Sequence, residues 1–340
     1  MLNDITIIIP THERHQYLKR SLEYWSELKY SLIVADSSKN PFDLKNINSN
    51  IVYLHCPKLS LTLKLSETLR QVYTEYAVLC ADDDFITSTG IDSCIKFLNQ
   101  SDYVCAKGKA VSFKKTNDRE YRWGMSESNI GSICEESPVL RYKNHSNNFQ
   151  SIFYAVTRTK VLSTAWDNAN KYTNDGRFAE LLASLYIVIQ GKVKVIDVFY
   201  HARESIINSD GTSAPTMFNF ILNRTFDIKY DLFKNCMAQN LMKKTDLGYH
   251  EVSRLLDINM NAYLKNSQGY SLKILKYKAI IKSMFLEYGL NLLLSKIRNI
   301  RKSKLAKKWT ELVEIPYVNP SHKQYEEWVT IDNIIKKFNI

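Results

Sequence analysis

Glycine and proline are sparse in this chain, 10 and 7 among 340 residues. No run of ~18 or more apolar residues occurs, which excludes a transmembrane helix. The opening residues, MLNDITIIIPTHER, lack the basic, apolar and small-residue parts of a signal peptide, so the expected location is the cytoplasm. None of the six cysteines stands in a CxxC pair, and no Cys/His spacing suits zinc. Most of them read as small core residues of a reducing compartment. Internal repeats and long low-complexity linkers are absent as well. The net charge of +11 comes without a helix-turn-helix, zinc-finger or RRM pattern, which argues against nucleic acid as the partner. What is there is 45% hydrophobic and 24% charged residues, enough for a substantial core and unlike a disordered chain.

The first 205 residues alternate strand and helix patterns. Short apolar, β-branched runs at 5–10 (ITIIIP), 31–36 (SLIVAD), 51–56 (IVYLHC) and 76–81 (YAVLCA) read as buried parallel strands. Helical spacing fills 15–28 and 60–73 between them. Residues 102–113 and 192–204 read as later strands, 151–162 as a strand leading into a helix, and 176–190 as a helix stopped by Gly191. The polar stretch 114–150 reads as an excursion over the sheet. From about residue 214 the pattern is almost wholly helical. This spacing predicts βαβ units in an α/β domain with a mainly parallel sheet over 1–213, and a helical region over 214–340.

Three polar clusters follow strands: PTHER after the first, DSS after the second and DDD after the fourth. In open α/β sheets ligands bind just beyond the carboxyl ends of the strands, so these clusters should share one crevice. The last, Asp82-Asp83-Asp84, demands a counter-charge, because neighbouring buried carboxylates raise one another's pKa. A hard divalent ion, Mg²⁺ or Mn²⁺, suits such oxygen ligands and is usually completed by water and substrate phosphates. The bland alternative is a solvated turn, or an aspartate capping the helix that ITSTG would open.

Taken together, TIIIPTHER, LIVADSSKN, VLCADDDF and YTNDGRFAELL resemble, in that order, the motifs of GT-A fold glycosyltransferases of the broad family 2 class. The resemblance covers roughly residues 3–205. It implies a metal-dependent transferase, inverting at the sugar, that takes a nucleotide sugar (a UDP-sugar first) to a glycan or lipid-linked acceptor in surface polysaccharide assembly. Residue by residue, it implies that Pro10, Thr11 and Arg14 line the loop receiving the nucleotide, and that Asp36 bonds the base or ribose. Asp82 would contact the ribose side and the metal, Asp83 would orient the loop, and Asp84 would ligate the metal. His201 would complete the metal shell and Arg203 would meet the diphosphate. Lys64 would reach the crevice or lie on a solvated helix face. Asp175 is the first choice for the general base and Glu180 the second; the family's E-D pair reads Asn174-Asp175 here. Tyr121, Trp123 and His145 would form an acceptor platform or be core.

Between Lys265 and Lys308 twelve basic residues stand against one acid, Glu287. Such a field attracts phosphates or polyanions. The apolar–basic mixture fits a surface helix on the anionic inner leaflet, a surface for a polyanionic glycan, or a solvated face. Two rivals to the transferase are a nucleotidylyltransferase and a non-catalytic scaffold. The first usually opens with a glycine-rich loop, and PTHERHQYLKR has no glycine. The second leaves the three aspartates unexplained.

Overall fold

The computed structural model describes residues 4–43, 50–116, 120–125, 131–173, 175–205, 215–287 and 315–340. Nine strands form one sheet in the order β3-β2-β1-β4-β8-β6-β9-β5, with β7 beside β6. They are β1 Ile5–Thr11, β2 Ser31–Asp36, β3 Ile51–His55, β4 Tyr76–Leu79, β5 Phe85–Ile86, β6 Cys105–Lys115, β7 Tyr121–Met125, β8 Val156–Arg158 and β9 Val193–Glu204. The strands β1, β2, β3, β4, β6 and β9 run one way; β5, β7 and β8 run the other. The mainly parallel α/β sheet read from the sequence is therefore present. Its first half is the part the patterns located best. Ile5, Ile7, Ile8 and Ile9 of β1 are all fully buried, as a strand covered on both faces requires.

The helices on the sheet are α1 His15–Ser26, α2 Leu61–Leu69, α3 Ser88–Asn99, α4 Pro138–Asn147, α5 Thr159–Tyr172 and α6 Gly176–Gln190. Then come α7 Met217–Leu222, α8 Phe226–Met242, α9 Tyr249–Gln268, α10 Leu272–Glu287 and α11 Tyr325–Phe338. Two findings differ from the sequence reading. The stretch 114–150 is more than an excursion, since β7 extends the sheet antiparallel to β6 and α4 packs on α6. And the cap of α3 is Thr87, whose hydroxyl accepts from Gly90 N–H, and not one of the aspartates.

Successive residues of β1 face opposite sides of the sheet, and each side has its own core. Ile8 joins a core made with α2, α4, α5, α6 and helices α7 to α10. Ile7 and Ile9 join a second core made with α1, α3 and residues 315–335. The helices after residue 214 are thus divided between the two faces. In the second core Tyr317 stacks on Phe199 at 4.9 Å, and the Gln324 side chain both donates to and accepts from the Phe199 backbone. The expected boundary at 213/214 lies outside the described residues.

One glycine positions the site directly. Gly108 lies at the register shift between β6 and β9. A Cβ there would sit 2.5 Å from Tyr200 Cβ and 2.7 Å from the Val198 carbonyl oxygen. This close approach lets β9 continue past the bulge, carrying His201, Arg203 and Glu204 toward the aspartate turn.

Candidate active site

The chain order reverses between β1, which has β2 on one side, and β4 on the other. A crevice of about 390 Å³ opens there, beyond the strand ends. It is lined by Pro10 and Thr11 at the end of β1, Arg14 just beyond, Ser37 after β2, Lys64 on α2, the three aspartates after β4, and Arg203 and Glu204 at the end of β9. PTHER, DSS and DDD thus do meet.

All three aspartates are nearly buried, at 2–6% exposure, and each has its own partners. Thr11 Oγ1 donates to Asp82 Oδ2 at 2.6 Å, and Arg14 lies 3.5 Å from Asp82 Oδ1. The same guanidinium donates to Asp83 Oδ2 at 2.6 Å and rests over the Tyr17 ring. Asp84 accepts from the Tyr154 hydroxyl at 2.5 Å and from Glu204 N–H at 2.8 Å. His201 Nε2 stands 3.4 Å from Asp84 Oδ2, with its ring stacked on Tyr154 at 4.0 Å. Behind the turn Arg20, fully buried, donates to the Asp83 carbonyl at 2.9 Å and to the Glu204 carboxylate.

These partners separate the carboxylates electrostatically. Burial pushes Asp82 up to about 7, with Arg14 opposing and Asp83 adding to the rise. Asp83 is also raised, by burial and then by Asp84. For Asp84 burial acts upward, but the contacts with His201 and Tyr154, with Arg203 beyond, more than offset it and hold the carboxyl below its usual range. Burial lowers His201, which favours neutral imidazole. The counter-charge demanded by the sequence is therefore met in part by arginines. Arg14 and Arg203 are both raised, because nearby anions outweigh the burial that opposes their charge.

Lys64 is 3% exposed, not on a solvated face. Its Nζ donates to the Thr11 carbonyl at 2.6 Å and to Ser37 Oγ at 2.9 Å, tying the ends of β1 and β2 together beside the crevice. Asp36 lies behind this wall and does not line it. Its oxygens accept from Tyr53 at 2.7 Å, His15 at 2.9 Å and Ser38 N–H at 2.8 Å. Burial raises its pKa, but these donors outweigh it and the group ends lowered.

The two candidate bases part company. Asp175 caps α6, accepting from Phe178 N–H at 2.8 Å, and its other oxygen holds Lys229 at 2.9 Å. Neither it nor Glu180 lines the crevice. Glu180, one turn further on, is half-buried and borders an apolar hollow with Phe153, a residue that also lines the crevice. Its charge acts on Arg203. Asn174 lies outside the described residues. Tyr121, Trp123 and His145 are not in the crevice. Trp123 Nε1 donates to Asp332 on α11 at 3.1 Å, and Tyr121 donates to the Ile340 carbonyl. His145 is buried in α4 and lowered to about 3 by that burial.

Among the described residues no group of three or more His, Cys, Asp or Glu side chains is placed to hold a metal ion. Asp84 and His201 do form a facing pair, and His201 Nε2 is buried without a hydrogen-bond partner. An orphaned imidazole nitrogen beside an ionised carboxylate fits two protein ligands of an ion whose remaining ligands are water and phosphate. Tyr154, Glu204 and Arg20 were not singled out from the sequence. Arg20 has the periodicity of a surface residue, and nothing local announces its buried partners.

Sheet order, switch-point crevice and acidic turn agree with a GT-A-type α/β fold. Its particular neighbours are crystal structures of S. aureus TarS. TarS 1–349 in complex with UDP-GlcNAc matches at 14% identity with a TM-score of 0.54, covering 78% of this chain and 74% of that one. TarS 1–349 alone matches at 13% identity with a TM-score of 0.51, covering 78% and 73%. At this identity the likeness is one of fold. No protein-family model matches the sequence, and no curated protein matches it at a significant level.

Proposed function

We propose that this crevice transfers a sugar from a nucleotide-sugar donor, a UDP-sugar, to a hydroxyl of a glycan or lipid-linked acceptor during surface polysaccharide assembly. The observation that carries the reading is the switch-point crevice itself: a buried aspartate turn faced by Arg14, Lys64 and Arg203. The UDP-GlcNAc held by the TarS 1–349 structure supports the choice of donor class.

The donor diphosphate lies against Arg14 and Arg203, which stabilise the negative charge that grows as the sugar leaves. Thr11, Lys64 and Ser37 hold the two strand ends at fixed spacing, so the nucleotide meets a preorganised wall. Asp84 and His201 are the residues that would hold Mn²⁺ or Mg²⁺. Such an ion supplies Lewis-acid stabilisation of the leaving diphosphate. Asp82 faces the ribose side, and Asp83 orients the loop through Arg14. Asp36 acts through the wall, fixing Ser38 and Tyr53 behind the nucleotide.

For the acceptor, we assign the general base to Glu180 in preference to Asp175. A base needs an open lone pair within reach of the acceptor hydroxyl. Glu180 borders an apolar hollow that shares Phe153 with the crevice, whereas both oxygens of Asp175 are taken. The acceptor oxygen gives its proton to Glu180 and forms the new bond to the anomeric carbon. The old bond breaks toward the diphosphate, so the anomeric centre inverts. A cytoplasmic enzyme is expected from this donor.

The test is a thermal-shift comparison of UDP-, GDP-, CMP- and TDP-sugars, each with Mn²⁺ and with EDTA. Ligand that binds only the folded chain raises Tm by mass action. A rise with UDP-sugars that needs Mn²⁺ is expected. A rise that persists in EDTA would keep the transferase and remove the ion. No rise with any nucleotide sugar would overturn the reading.

A further inference from the structure

Helix α10 presents an apolar face to solvent on the helical side of the molecule. Leu275 and Ala279 are buried against the body, at 2% and 6% exposure. On the opposite side Ile274, Tyr277, Ile280 and Ile281 are 46–59% exposed within two turns. Single exposed apolar residues are ordinary, but four on one short helical face mark an interaction surface. Residues 272–283 contain four lysines and no acid. Lys273 is exposed among the isoleucines. Lys276 is bound at 2.9 Å to both oxygens of Asp227 on α8, which ties the helix to the body. Lys278 and Lys282 lie along the border with the body, over the rings of Tyr270 and Phe218.

We propose that this face docks on an anionic lipid surface. Ile274, Tyr277, Ile280 and Ile281 would enter the headgroup–acyl boundary, and Lys273, Lys278 and Lys282 would meet lipid phosphates. Charge selects this occupant over a second copy of the chain. A two-fold contact through the face would set lysines against lysines with no acid within residues 272–283 to answer them. The isoleucines select it over a soluble polyanion, which would leave them in water. None of these residues lines the crevice, so the proposal does not rest on the transferase reading.

Flotation of the full chain with POPC/POPG vesicles, compared with POPC alone, tests it. Association is expected with the anionic vesicles and should weaken in high salt. The double variant Tyr277→Ser/Ile281→Ser should lower partitioning by at least about tenfold. Lys273→Gln should lower it about fivefold. Ile258→Ser, which alters an exposed isoleucine on α9, should leave it unchanged. All four positions are exposed, so circular dichroism and Tm should stay at parental values. Three results would overturn the proposal: no flotation of the parent chain, flotation indifferent to the double variant, or a dimer by light scattering that the double variant dissolves.

Discussion

The sequence marks out two groups of carboxylates, the turn after β4 and the pair on the first turns of α6, and the fold treats them in opposite ways. In the turn, every aspartate is buried and answered: Asp82 by Thr11 and Arg14, Asp83 by Arg14, Asp84 by Tyr154, Glu204 N–H and His201. On α6 one carboxylate is committed and the other is open. Asp175 spends its oxygens on a cap and on Lys229, while Glu180 borders the hollow beside Phe153. Saturated, desolvated carboxylates suit a fixed electrostatic frame, and an open one suits proton transfer. Under the proposed function, structure-forming and proton-taking roles are separated by partners, not by residue type.

The largest effect expected is at the frame. Asp84→Ala should bring turnover to background and abolish the metal-dependent rise in Tm with UDP-sugar, read from initial rates and thermal shifts. Retained turnover would dissolve the contrast, since the turn would then be scaffold alone. Next, Glu180→Gln should lower kcat by about 10²–10⁴ while the donor-induced shift survives, the size typical of a lost general base. If Asp175→Asn does this and Glu180→Gln does not, the two roles on α6 are exchanged.

A third change reads the support behind the frame in stability. Arg20→Met removes the cation that meets Glu204 in the interior and should cost about 3–5 kcal/mol in urea denaturation, the usual result of orphaning a buried charge. Arg20→Lys should recover part of it. The smallest effect belongs to Asp175→Asn. Asparagine still caps a helix, so only the Lys229 ion pair is lost, at most about 1 kcal/mol. Its kcat should stay within about twofold of the parent, well short of what a lost general base removes.

Much of the frame was legible beforehand because it is written in local pattern. The apolar run 5–10, the two that follow it and YAVLCA each place a strand, and the polar residues after them fall at carboxyl ends. Helix α6 was equally plain, capped by Asp175 and stopped at Gly191. Helix α4 was hidden by its own polarity. Its buried residues include Arg141 and His145, and Arg141 is buried because its guanidinium donates to the carbonyls of Val188 and Ile189 at the end of α6. Strand β7 is five residues long and packs Trp123 against Trp328, a partner from the far end of the chain.

By itself the sequence determined the order of the first four parallel strands and the helices between them, and the convergence of three polar loops on one crevice. These follow from hydrophobic period, caps and strand ends, which act over a few residues. Only the tertiary structure decided which cations answer the aspartates, that Lys64 and Arg20 are interior, that residues 315–340 cover the face opposite α7 to α10, and that Glu180 is open where Asp175 is not. Each of those depends on contacts such as Arg20 with Glu204 or Gln324 with Phe199, 184 and 125 residues apart. Burial and charge pairing act through space, and at such separations no local period carries them.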